Sequence, residues 1–406
     1  MLIKLFGKNI KMKICLVVDD YMPDSIKIAA KMMHELAIEL NNQGHEVTVL
    51  TPCVNISKSV DILKLDNINI YRFKSGAIKN VSKIKRAINE TLLSYSAWKS
   101  CKSLLINNKH DLIIYYSPSI FFGPLIGKLK KVWNVKSYLI LRDIFPQWAV
   151  DNKILKEKSL ITKYFELFES INYKNADKIG LMSKKNLEWF NNKYHLENKT
   201  ELLYNWASNT PLEKKESYYR KQLNLEDKII FFYGGNMGHA QDMLNLVRLA
   251  KKMSIYEEAH FLFVGAGDEV KLIQKAILED KLQNITLLDS INQEEFKVLL
   301  SEIDVGLFTL NYNHQTHNFP GKLLGYMCES IPILGSVNPN NDLKDVLESS
   351  NAGFITVNGE DQELFENAKK LLSEETRLSI GKHANSLLNQ SFSVKSIAKQ
   401  IILSFK

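Results

Sequence analysis

A chain of 406 residues is too long to fold around one ordinary core, so two domains are expected. Its 45% hydrophobic and 24% charged residues exclude a disordered or collagen-like chain. The net charge of +8 is unevenly spread: residues 1–200 carry 32 Lys and Arg against 18 Asp and Glu (+14), and residues 201–406 carry 21 against 27 (−6). A basic half attracts polyanions, whether anionic lipid headgroups, a pyrophosphate-bearing substrate or nucleic acid.

The N-terminal residues 1–11 contain Lys4, Lys8 and Lys11 but no long apolar run and no small-residue cleavage site, so no secretory signal is expected there. Met12-Lys13 reads as a natural start, which leaves residues 1–11 as an upstream extension, a mildly amphipathic anchor, or neither. Lys13–Asp19 is an apolar, β-branched run and predicts a strand. Asp24–Leu40 predicts a helix, with Ile28, Met32, Leu36 and Leu40 at helical spacing, ended by Gly44-His45. Glu46–Leu50 is the next strand, closing a β-α-β unit. Strand-like Asp111–Tyr116, helix-like Ile120–Lys131 and strand-like Ser137–Leu141 follow, then a helix over Lys158–Tyr173 and a strand over Lys178–Leu181.

The rhythm resets near Lys199–Leu212. A new apolar run, Lys228–Tyr233, meets Gly234-Gly235-Asn236. A helix over Gln241–Lys252, a strand over Phe261–Val264, Gly265-Ala-Gly267 and a helix over Glu269–Leu278 come next. Strands at Ile285–Leu288 and Val305–Leu310 and a terminal amphipathic helix, Val394–Phe405, complete the chain. Strand–helix alternation implies parallel sheets sandwiched by helices, and two runs of it imply two doubly wound α/β domains facing a cleft. In such sheets ligands bind just beyond the carboxyl ends of the strands, where strand order switches.

Three loops at strand ends therefore stand out. Tyr233-Gly-Gly-Asn-Met-Gly238 lets backbone amides approach an anion near a helix N-terminus, which suits a diphosphate; a tight ligand-free turn would use the same glycines. Gly265-Ala-Gly267 is a second, weaker loop of this kind. Phe319-Pro320-Gly321-Lys322 opens a helix over Leu323–Glu329, and a lysine in a first turn opposes the helix dipole unless an anion is there to be clamped. In the basic half, Leu141-Arg142-Asp143-Ile144-Phe145-Pro146 places a carboxylate at a strand end. Asp143 there can orient or deprotonate an acceptor hydroxyl, or cap a helix or pair with Arg142. Asp19-Asp20-Tyr21 is similar, and adjacent residues on a strand end point opposite ways, so at most one of the two acids enters the site.

Other templates fail. Gly123 to Gly127-Lys128 has too short a gap for a Walker A loop and lacks its Ser or Thr. No GxSxG or HExxH occurs, and no histidine pair, His239 and His317 included, has metal-ligand spacing. Cys15, Cys53, Cys101 and Cys328 share no CxxC spacing, which fits a reducing cytoplasm. The longest uncharged run, Leu112–Gly127, is broken by Pro118, Gly123 and Pro124 and falls short of the roughly 20 apolar residues that span a bilayer. Phe121, Phe122, Leu125 and Ile126 beside Lys128, Lys130, Lys131 and Trp133, with the basic stretch Lys79–Arg86, read either as an interfacial membrane contact or as a half-buried core helix. Stacking platforms and recognition helices are missing from the sequence, so nucleic acid is not an expected partner.

Together, Asp20-Tyr-Met-Pro-Asp-Ser25, Leu141-Arg-Asp-Ile-Phe-Pro146, Tyr204-Asn-Trp206, Gly234-Gly-Asn-Met-Gly238 and His317-Asn-Phe-Pro-Gly-Lys322 resemble a family 4 glycosyltransferase of the GT-B fold along the whole chain. Within that family the nearest likeness is to the WbuB-like branch of O-antigen and capsule transferases. The resemblance implies two Rossmann-like domains, at 12–206 for the acceptor and 207–385 for the nucleotide-sugar, with residues 386–406 crossing back to the first. It implies a retaining transferase that takes a UDP-sugar (UDP-N-acetyl-L-fucosamine in WbuB-like members), uses no cofactor or metal, and acts on a polyprenyl-pyrophosphate-linked acceptor. Such an enzyme lies peripherally on the anionic inner face of the cytoplasmic membrane. Donor contacts would come from Gly235, Asn236, Gly238, Gly265, Phe319, Pro320, Gly321 and Lys322, acceptor contacts from Asp20 and Asp143, with Asp143 and Lys322 catalytic. Many members carry a glutamate pair eight residues apart; those positions are here His317 and Gly325, so the usual ribose-holding carboxylate is replaced. The basic residues that often follow the first donor loop are replaced too, by Asn236, His239, Ala240 and Gln241. An epimerase of the same architecture and a non-catalytic assembly scaffold are the rival readings.

Overall fold

The computed structural model describes residues 11–25, 27–78, 81–151, 153–210, 218–313 and 319–405. The chain divides into two compact units, one running to Tyr204 and taking in the residues from Ile397 onward, the other spanning Asn205–Ser396.

Unit 1 holds β1 (Lys13–Val17), β2 (Glu46–Cys53), β3 (Val60–Leu65), β4 (Ile68–Lys74), β5 (Leu112–Ser117), β6 (Lys136–Leu141), β7 (Lys178–Leu181) and β8 (Thr200–Leu202). They form one sheet in the order β3-β4-β2-β1-β5-β6-β7-β8. Ile14–Val17 of β1 are all buried, the signature of a central parallel strand covered on both faces. Strand order reverses between β1 and β5, so the switch lies at their carboxyl ends. The alternation did not reveal β3, an edge strand antiparallel to β4. Its signal was the two-residue turn Asp66-Asn67, at φ 48° and 64°, a conformation that Asp and Asn tolerate and that matches strand twist.

Several expected boundaries move. The first helix is Ile28–Asn42 rather than Asp24–Leu40, because Asp20, Asp24 and Ser25 are held in a turn by the Ser25–Asp20 and Arg72–Asp24 contacts. The segment expected either to touch a membrane or to line the core lies in the core. Phe121, Phe122, Leu125, Ile126 and Trp133 are at most 3% exposed, and the Trp133 indole donates to the Leu105 carbonyl at 2.7 Å. Lys130 pairs with Asp177, and Lys128 lies 4.3 Å from the centre of the Trp98 ring. Lys79 lies outside the described residues. The helix Val394–Leu403 carries the chain into unit 1, where Gln400 donates to the Leu202 carbonyl at 2.7 Å and the Ser404 hydroxyl reaches the Glu201 carboxylate at 2.9 Å.

Unit 2 holds β9 (Ile229–Asn236), β10 (Ala259–Ala266), β11 (Ile285–Leu288), β12 (Val305–Thr309), β13 (Ile333–Val337) and β14 (Gly353–Val357). All pair in parallel, in the order β11-β10-β9-β12-β13-β14, so the switch lies between β9 and β12. Phe231 and Phe261 stack at 5.0 Å in its core, against the buried face of the helix Met243–Met253. Each unit is thus a doubly wound α/β layer structure of the kind the alternation predicts. Among the described residues no helix is long and apolar enough to cross a membrane, and no group of three or more His, Cys, Asp or Glu is placed to hold a metal ion.

Candidate functional site

In unit 2 the glycine loops lie on neighbouring strands, with Gly265 paired to Gly235 and Ala266 to Asn236. A Cβ on Gly265 would fall 1.9 Å from the Gly235 carbonyl oxygen, and one on Gly267 would fall 2.3 Å from that of Met237. The second loop is therefore a bed for the first: Met237 donates to the Ala266 carbonyl and Glu269 to that of Met237, both at 2.9 Å. Gly265 is buried, while Gly235, at φ 118°, and Asn236 are exposed above it.

Two amides expected to face an anion are already engaged. The Gln241 side-chain oxygen accepts from the Gly238 amide at 3.2 Å and from Asn236 Nδ2 at 2.8 Å. The next helix begins at Met243, not Gln241, since the Gln241 amide turns back to the Gly238 carbonyl. The Met243 amide donates to the Glu269 carboxylate at 2.8 Å, so a buried acid occupies the positive end of that helix. Among the described residues, Lys322 brings a lysine to the same loop. It opens the short helix Lys322–Cys328, with Gly321 as N-cap, Pro320 before it and Phe319 packed 4.6 Å from Phe392.

Lys322 is half-buried. Its ammonium lies 3.4 Å from the centre of the Tyr233 ring and 3.7 Å from where a Cβ on Gly235 would stand. Burial, with no charged partner among the described residues offsetting it, lowers the ammonium to about 7. The loop glycine from β9 and the lysine after β12 thus meet across the strand-order switch. At Gly325 no side chain is present to hold a ribose, and Leu300 stands 3.3 Å from the Cβ position. His317 lies outside the described residues. Sequence reasoning missed a buried polar ladder behind this site. Asn245 donates to Thr309 at 3.1 Å and to Ser336 at 3.0 Å, and Asn358 donates to Asp242 at 2.9 Å and to the Leu310 carbonyl at 2.8 Å. Its only sequence signal was a hydroxyl or amide in each of several apolar strand ends.

In unit 1 a cavity of about 530 Å³ opens at the switch. Asp19, Ser119 and Asp143 line it, each two residues beyond the end of β1, β5 and β6. Strand alternation explains the order Arg142-Asp143. Arg142 turns inward, donating to the Leu141, Gly180 and Tyr204 carbonyls at 3.2, 3.3 and 3.0 Å, and desolvation brings its guanidinium down to about 10. Asp143 turns outward, and desolvation raises its carboxyl above the usual range against the pull of Arg142. Of the adjacent acids, Asp19 lines the cavity. Asp20, expected at the acceptor, instead accepts from the Ser25 hydroxyl at 2.9 Å with Lys27 at 4.0 Å. Ser119, which sequence reasoning missed, is buried and its hydroxyl has no hydrogen-bond partner among the described residues. Its signal was the polar Ser117-Pro-Ser119 directly after an apolar strand. Arg86 and Glu90, paired at 2.8 Å, also line it, and the rest of the wall is mostly apolar, with Phe121, Phe145, Trp148, Ile154, Leu155 and Phe165 in it.

Residues 214–387 match the family described as Glycosyl transferases group 1. The match lies within the second unit, and the chain as a whole has the GT-B fold. Among curated relatives it is 23% identical over 232 residues to "Probable glycosyltransferase WbjE" of Pseudomonas aeruginosa, a match spanning 56% of this chain and only 57% of that relative's length. It is 24% identical over 362 residues to "Putative colanic acid biosynthesis glycosyl transferase WcaI" of Escherichia coli K12, covering 79% of this chain and 87% of the relative. The crystal structure of Anabaena HepE in complex with UDP and glucose superposes with a TM-score of 0.62 at 15% identity, covering 97% of this chain and 99% of that one.

Proposed function

We propose that the chain is a retaining hexosyltransferase of surface-polysaccharide assembly. It moves a sugar from a UDP-sugar to a polyprenyl-pyrophosphate-linked acceptor. The observation that carries this reading is the meeting of Lys322 and Gly235 at the unit 2 switch, where a cation with no carboxylate partner among the described residues lies beside an open glycine loop. The UDP seen in HepE and the glycosyltransferase names of WbjE and WcaI, the latter in colanic acid biosynthesis, support it. N-acetyl-L-fucosamine is the sugar proposed for a WbuB-like member.

Unit 2 holds the donor, with Gly235, Asn236 and Gly321 at the diphosphate and Lys322 neutralising the charge that builds on departing UDP. Preorganised stabilisation of that kind is worth ~10²–10³ in rate, so no metal ion is required. Unit 1 holds the acceptor, with Asp143 accepting a hydrogen bond from the reacting hydroxyl and Asp19 and Ser119 fixing its neighbours. The basic excess of residues 1–200 supports a place on the anionic inner face of the cytoplasmic membrane.

A screen of UDP-sugars for transfer to a lipid-pyrophosphate-linked sugar, read by mass spectrometry, tests the reading. A new glycosidic product from one donor is the expected result. A sugar isomer formed with donor alone would mean an epimerase, and no UDP binding at all would mean a scaffold.

A further inference from the structure

We infer that the unit 1 cavity is a hydrocarbon slot that takes the lipid chain of the acceptor from an anionic bilayer lying against its lip. The inference rests on the acceptor being lipid-linked, as proposed above.

Most of the cavity's lining is apolar, and away from the strand ends its charged residues, Arg86 and Glu90, pair with each other at 2.8 Å. Asp19, Ser119 and Asp143 stand at the strand ends, and the buried Ser119 hydroxyl, without a hydrogen-bond partner among the described residues, is placed to meet a polar group there. The opposite wall is built of rings: Phe145 lies 4.8 Å from Phe165 and 6.0 Å from Trp148. A sugar by itself is held by converging hydrogen-bonding groups, whereas a wall of this kind matches a hydrocarbon.

The wall is also unsealed. Trp148 and Ile154 line the cavity and are 45% and 61% exposed. Beyond them Leu160 and Ile161, at the start of the helix Leu160–Asn175, are 86% and 60% exposed. Ile84 and Ile88 are 77% and 54% exposed on the helix Lys83–Thr91, whose Arg86 and Ala87 line the same cavity. The Thr91 and Tyr164 hydroxyls hydrogen-bond to each other, so the two apolar patches share one rim.

Lysines edge this rim. Between residues 153 and 163 the sequence has four lysines, Lys153, Lys156, Lys158 and Lys163, and one acid, Glu157, and all four lysines are exposed, as is Lys85. Exposed apolar side chains fringed by lysine fit the headgroup boundary of an anionic membrane. A chain drawn sideways through Trp148 and Ile154 would bring its diphosphate and sugar to Asp143 without leaving the bilayer.

Two measurements on the full chain test this. In the first, tryptophan emission is titrated with farnesyl diphosphate, using inorganic pyrophosphate as the control without a hydrocarbon tail. Binding at least about tenfold tighter for farnesyl diphosphate, with a blue shift lost in Trp148→Phe, is expected. In the second, sedimentation with phosphatidylcholine vesicles is compared with and without phosphatidylglycerol. Binding should require the anionic lipid and should fall at least about tenfold in the exposed lip variant Ile154→Ser with Leu160→Ser, while UDP affinity holds. Pyrophosphate binding as well as farnesyl diphosphate would overturn the inference. So would vesicle binding that the lip variant leaves unchanged, and the apolar patch would then be a protein contact. Loss of UDP affinity in the wild type would instead fault the proposed donor site and leave the slot standing.

Discussion

The Lys322 ammonium sits 3.4 Å from the centre of the Tyr233 ring, a cation–π contact joining the helix after β12 to the strand β9. The contact holds the ammonium without neutralising it, as a carboxylate would, and leaves its charge available to a phosphate. Lys322→Ala should therefore cost ~10²–10³ in kcat of sugar transfer while the circular dichroism spectrum is unchanged. Near-normal turnover would remove Lys322 from the mechanism.

Proton uptake follows from the same residue. Burial holds the free ammonium at about 7, below its ordinary 10.5. A bound diphosphate raises it again, so between these values UDP binding takes up a proton and affinity falls as pH rises from 7 toward 9. Calorimetry in two buffers of different ionisation enthalpy measures this uptake directly. Lys322→Met should show none, and equal heats for the wild type in both buffers would contradict the assignment.

Asp143 and Asp19 belong to the other unit. Asp143→Asn should leave UDP affinity intact and lower transfer by ~10²-fold or more, the range of a positioned acid or base. Asp19→Asn should act chiefly on the acceptor KM. A collapse of UDP affinity in either variant would show that the residue serves the donor.

Gly265 touches no ligand in this reading, yet its replacement should be costly. A methyl there would meet the Gly235 carbonyl at 1.9 Å, backbone against backbone. Gly265→Ala should lower stability by on the order of 1–3 kcal/mol, as overpacking does, and weaken UDP binding by displacing the loop above. A thermal melt together with a UDP titration checks both effects, and unchanged values would refute the close crossing.

Glu169 gives unit 1 a pH-dependent stability. It is 4% exposed, accepts from the Tyr194 and Tyr173 hydroxyls at 2.7 and 3.1 Å, and burial raises it to about 7. The folded chain thus holds a proton that the unfolded chain releases near 4.5, so this stabilisation is full below that pH and disappears as pH climbs through 7. Melting from pH 5 to 8 should show a decline of up to about 3 kcal/mol that Glu169→Gln removes. A wild-type profile as flat as the variant's would refute it.

Much of this was legible in the sequence because each site segment follows an apolar run. Gly234-Gly235-Asn236, Arg142-Asp143 and Pro320-Gly321-Lys322 all mark the point where a buried strand or helix meets a loop. What stayed hidden depends on partners distant in the chain. Periodicity does not tell which of Asp19 and Asp20 faces inward, since the Ser25 hydroxyl decides it. Nor does spacing show that Gln241 and Glu269 occupy amides a phosphate would use, because a side chain and a backbone amide meet only after folding. The helix Gly123–Trp133 has an apolar stripe whether it faces lipid or sheet, and only the sheet beneath it settles which.

Unit 1 has a further dependence. Its Glu201 waits for Gln400 and Ser404, contributed from roughly two hundred positions downstream, to complete the cover over β8. During synthesis unit 2, contiguous from Asn205 to Ser396, emerges whole before unit 1 receives its last side chains. A ribosome that stalls inside the final helix would therefore release a protein with one unit complete and the other unfinished.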